Sequence, residues 1–67
     1  MYKLENVLFI GWFENGNMFT KEIALDVSDQ NMIEWATVQY AEVNKALVKA
    51  FVNDNQVFEC DYRSNEK

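Results

Sequence analysis

The residues that could do chemistry in this chain are few: one cysteine, some carboxylates clustered near its end, and no histidine at all. Cys60 would act as a nucleophile only if a histidine, a lysine or a helix N-terminus favoured its thiolate. Strand alternation instead turns it inward with Phe58 and Tyr62, so a small buried hydrophobe is expected. Glu59 and Asp61 take the opposite face, with Asp54 nearby in sequence. Such a set could hold a hard cation, or work as an acid–base pair if burial raised one pKa. The calcium-loop spacing is absent, however, and a solvated strand face is the expectation. A single cysteine without histidine makes neither an internal disulfide nor a Cys/His zinc site. Gly11 and Gly16 belong to no phosphate-cradling pattern. No nucleophile–base pair, metal set or cofactor site can be assembled, so an enzyme is not expected.

The charge balance narrows the partners. Six basic residues stand against eleven acidic ones, a net charge of -5 with a pI near 4.4. Affinity for nucleic acid and for anionic membranes comes from clustered cations, so direct binding to either is not expected. The acids Glu14, Glu22, Asp26, Asp29, Glu34 and Glu42 are scattered and interleaved with lysines. That spread favours a solvated acidic surface over an array imitating nucleic-acid phosphates. Glu22, Asp26, Glu59 and Asp61 are its candidates for meeting a basic partner. The N-terminal residues lack a basic-then-apolar leader, and the apolar run over 7–10 is far too short to cross a bilayer. One free cysteine suits a reducing cytoplasm. Both ends read as native, with 64–67 as a frayed polar tail.

Positioning these residues falls to a few elements in one domain, residues 1–67. Asn15-Gly16, between two apolar stretches, is the strongest short-range hairpin signal, because a two-residue type I′ turn needs positive φ at both central residues. Strands are predicted at about 4–13 and 18–27. Pairing across the turn sets Phe13 near Met18, Trp12 near Phe19 and Leu8 near Ile23. Moving the turn centre to Gly16-Asn17 changes the partners but not the faces. One face then carries Leu4, Leu8, Ile10, Trp12, Phe19, Ile23, Leu25 and Val27, the expected core. The other carries Val7, Phe9, Phe13, Met18 and Ala24.

Ser28 is the expected N-cap of a following helix, with Asp29 in its first turn and Val27 stapled to Met32. Ile33, Ala36, Tyr40, Val43, Leu47, Ala50 and Phe51 fall at steps of three and four, which predicts one amphipathic helix over about 29–52. Such a helix would be about 36 Å long and would overhang ordinary strands, with a bend expected near 37–39. A competing alternation over 35–43 would make that stretch a strand. A final strand is predicted at 56–62. The fold class is therefore α+β, β-β-α-β, with one long helix on one face of a small sheet.

One helix covers one face, so the hairpin's second face stands open. An apolar patch of this concentration marks an interaction site more often than bare surface. Val7, Phe9, Phe13 and Met18 are the interface candidates, joined by Trp35, which lies partly off the helix stripe. The function expected is a small, non-enzymatic protein-binding factor that modulates or inhibits a larger protein. In size and composition it is of the kind common among phage and mobile-element accessory proteins. The alternative is a homodimeric structural or regulatory domain with the same face as its subunit interface.

Overall fold

The computed structural model describes residues 3–63; the tail expected over 64–67 lies outside them. Five elements follow in order: β1 (Leu4–Trp12), β2 (Met18–Asp26), α1 (Gln30–Asn44), β3 (Leu47–Val52) and β4 (Asn55–Asp61). The strands form one antiparallel sheet in the order β2-β1-β3-β4, with α1 packed on one face. The α+β class holds, and the chain reads β-β-α-β-β.

The first hairpin turns through three residues rather than two. Phe13 N donates to Asn17 O at 2.7 Å and Gly16 N to Phe13 O at 3.0 Å, leaving Glu14, Asn15 and Gly16 in the loop. Within it Gly16 alone has positive φ, at 94°, whereas a type I′ turn needs it at both centres. Asn15 uses its side chain instead, its Oδ1 accepting from Asn17 N at 3.0 Å. Trp12 therefore faces Met18, Gly11 faces Phe19 and Val7 faces Ile23. This differs by one residue from the expected pairing, and a one-residue difference exchanges the faces of a whole strand. The core face unites Val7 and Phe9 with Phe19, Ile23 and Leu25. Leu8, Ile10 and Trp12, expected in the core, lie on the opposite face with Met18.

The helix is shorter than its periodicity suggested. Asp29, not Ser28, caps it, accepting from Asn31 N at 3.1 Å and Met32 N at 3.4 Å. Ser28 turns back to Asp26, whose Oδ1 accepts from Ser28 Oγ at 2.6 Å. At the other end Lys45 is left-handed, with φ and ψ both 53°. Lys45 N donates to Glu42 O and Ala46 N to Ala41 O, the paired bonds of a Schellman stop. The expected helical residues 47–52 are instead a central strand, and Asn53-Asp54 is a tight turn with φ of 52° and 67°. Residues 35–43, for which a strand competed, are helical.

Small residues let α1 lie close to the sheet: Ala36, Thr37 and Ala41 are buried beside Ile33. Thr37 Oγ1 donates to Ile33 O at 2.7 Å, so its buried hydroxyl is satisfied within the helix. Beneath lie Val7, Phe9, Val48 and Ala50, all without exposure. Phe9 meets Tyr40 with ring centroids 5.1 Å apart. Phe19 lies across Gly11, where an added Cβ would come within 2.3 Å of its ring.

Candidate functional site: a groove beside the helix and an open sheet face

The structure separates the five interface candidates. Val7 and Phe9 are fully buried beneath α1 and out of reach of a partner, because the hairpin register puts them on the covered face. Phe13 is half-buried against Phe19, their ring centroids 5.0 Å apart. Met18 is 56% exposed, but on the sheet's other face beside Trp12. Trp35 is 66% exposed and stands where a binding residue is useful.

Trp35 borders a groove of about 740 Å³ between α1 and β2. Its apolar wall is Ile23 and Leu25 from β2 with Met32, Ala36 and Tyr40 from α1; Asp29, Asn31 and Gln39 supply polar groups. The groove follows from how the helix sits. α1 rests more heavily on β3 and β4 than on β2, so Ile23 and Leu25 are half-covered. An indole at such a margin offers a large, stiff apolar surface with one N–H donor, the type of side chain that dominates interface energetics. Ile23, Leu25 and Tyr40 were not expected there. Their half-coverage depends on the helix ending at Asn44, which the sequence periodicity obscures.

On the far side of the sheet, alternation places Leu8, Ile10 and Trp12 of β1 beside Leu47, Lys49 and Phe51 of β3. All six are half-buried, and Lys49 Nζ lies 5.6 Å from the Trp12 ring centroid. The acidic candidates fall on this face too. Glu22 and Asp26 stand on β2, and Glu59 and Asp61 on β4, where Lys49 is paired with Glu59 and Leu47 with Asp61. Carboxylates thus line both outer strands of an apolar band.

Two of these carboxylates are held by neighbours. Hydrogen bonds from the Ser28 hydroxyl, then the Lys3 amide, keep Asp26 below its ordinary pKa. Asp61 is lowered first by the Arg63 side chain, which reaches it twice, at 3.1 Å each, and then by the Arg63 amide. Burial pushes the Cys60 thiol up, with the charges of Asp61 and Glu42 acting in the same direction; that is the reverse of activation. Among the described residues no three histidines, cysteines or carboxylates come together as a metal site. Among them, too, no helix is long and apolar enough to cross a membrane.

Fold and surfaces together define a small protein-binding module: a compact core presenting one apolar groove and one acid-bordered sheet face. The chain belongs to the Dmd family, described as discriminator of mRNA degradation, whose pattern matches residues 2–64. It is 57% identical over 61 residues to antitoxin Dmd of Enterobacteria phage T4, covering 91% of this chain and 97% of that protein. The crystal structure of Dmd from phage RB69 superposes with a TM-score of 0.86 at 64% identity, covering 91% of this chain and 97% of the other. T4 Dmd in its crystal structure with the Escherichia coli toxin LsoA matches with a TM-score of 0.78 at 57% identity, covering 87% and 96%.

Proposed function

We propose that this chain is an antitoxin: it binds a larger toxin protein and inhibits it by occupancy, with no chemistry of its own. The observation that carries this is the likeness to T4 Dmd as captured on LsoA, at 57% identity over nearly the whole of both chains. The family's description ties it to mRNA degradation, so the toxin is one that acts on mRNA. The Cys60 thiol, its pKa raised by burial, is not poised as a nucleophile. A homodimer is the less favoured reading, since the relative is held by a different, toxin partner. The site of action is the cytoplasm, which a lone unpaired cysteine suits.

The groove beside α1 is the binding site, with Trp35 as its anchor. Trp35→Ala removes an exposed side chain, so the melting temperature stays near that of the parent. A buried anchor in a complex contributes at least about 2 kcal/mol, so affinity for LsoA should fall by roughly 30-fold or more. Growth of cells expressing LsoA should be restored by the parent chain and not by the variant. Parent and variant binding LsoA equally would remove the groove from the site. A parent that neither binds nor rescues would overturn the antitoxin role toward this toxin.

A further inference from the structure

The groove uses one side of the molecule and leaves the open sheet face unassigned. We propose that this face is a second docking surface, and that its occupant is the toxin itself, through an apolar ridge flanked by lysines or arginines. This rests on the antitoxin reading above and adds to it where, and by what chemistry, a second contact is made.

Leu8, Ile10, Trp12 and Phe51 form the half-buried middle of the face. Glu22 on β2 and Glu59 on β4 are exposed on its two sides. Among the described residues neither is held in an ion pair: Glu59 accepts from Gln56, a neutral amide, at 3.2 Å, while of the two cations on this face Lys49 lies over Trp12 in the middle and Arg63 is held by Asp61, near enough to Glu59 to feel its charge. A second copy of this chain fits poorly. Two sheets stacked face to face in the aligned mode keep their strands within about 30°, which sets outer strand on outer strand and carboxylate against carboxylate. Like charges brought together across an interface oppose association. A partner with cations flanking an apolar ridge satisfies both features at once. In a chain with a net charge of -5, the same acids speed encounter with such a surface.

The test is to measure association with purified LsoA across a range of salt concentrations, using the full chain and three charge reversals at exposed positions. Glu22→Lys and Glu59→Lys reverse the two sides of the face; Glu42→Lys makes the same change of net charge on α1. Combining Glu22→Lys with Glu59→Lys should lower the association rate by roughly tenfold at low salt and flatten its salt dependence. Glu42→Lys should change the rate by no more than about twofold, if local placement rather than total charge decides. Equal effects at Glu42 and Glu59, or no effect from the double reversal, overturn the proposal. So does sedimentation showing that the parent chain is a dimer that the double reversal separates, for then a second copy covers the face. Failure of the parent chain to bind LsoA would instead strike the antitoxin reading and take this one with it; the Trp35→Ala arm reports on the groove alone.

Discussion

Gly11 shows how one residue without a side chain decides what its neighbours do. It sits one residue from the end of β1 at a point where most residue types would fit the backbone, yet the Phe19 ring occupies the space a Cβ would need. The ring then packs on Phe13 and closes the core at the hairpin end. Gly11→Ala should destabilise the protein by about 1–3 kcal/mol, the usual cost of overfilling a packed site. Phe19→Leu made in the same chain should recover part of that loss, as a double-mutant cycle in thermal or denaturant unfolding would reveal; strict additivity would mean that the two positions do not conflict. At this scale the sequence was legible in part. Cys60 stood out as inert and Trp35 as lying partly off the helix stripe, whereas Gly11 gave no sign of the ring that Phe19 lays across it. Val7 and Phe9 were misassigned to the surface, since the side they face depends on an odd or even loop, which Asn-Gly does not by itself decide.

Elements were legible where turn chemistry and period agreed, and lost where two periods coincided. Val43, Leu47, Ala50 and Phe51 fit helical spacing, but residues 47–52 also alternate, with Val48 and Ala50 buried. Nothing in the sequence announced the change, because the left-handed stop falls on Lys45 instead of a glycine or asparagine. The Asn53-Asp54 turn was visible as a helix end rather than as a hairpin. Both of its residues carry positive φ, a conformation glycine adopts without steric penalty. Asp54→Gly should therefore stabilise the chain by roughly 0.5 kcal/mol, less the added freedom of the unfolded state. A lower denaturation midpoint for that variant would show that the aspartate contributes something the φ angle does not reveal.

As a whole the molecule is two local hairpins fastened together by one non-local pairing. β1 and β2 meet across a three-residue loop, β3 and β4 across two residues. The β1–β3 pairing brings Gly11 beside Val48, with all of β2 and α1 between them in the chain. The α+β class could be read from the sequence because it depends on counting faces; this strand order could not, because it depends on where the helix stops. The order has a kinetic consequence. Hairpins close in about 1–10 μs, but the central seam must first overcome the entropy of a long loop. Assembly of the seam should thus be the slow event, and Val48→Ala should retard refolding more than it hastens unfolding. A chevron with an unchanged refolding limb would place the seam after the barrier. Neither hairpin is an independent unit on this view, since an isolated two-stranded ribbon is marginal in water. The groove and the acid-bordered face would then arise together, in a single step, when the seam zips and the helix settles over it.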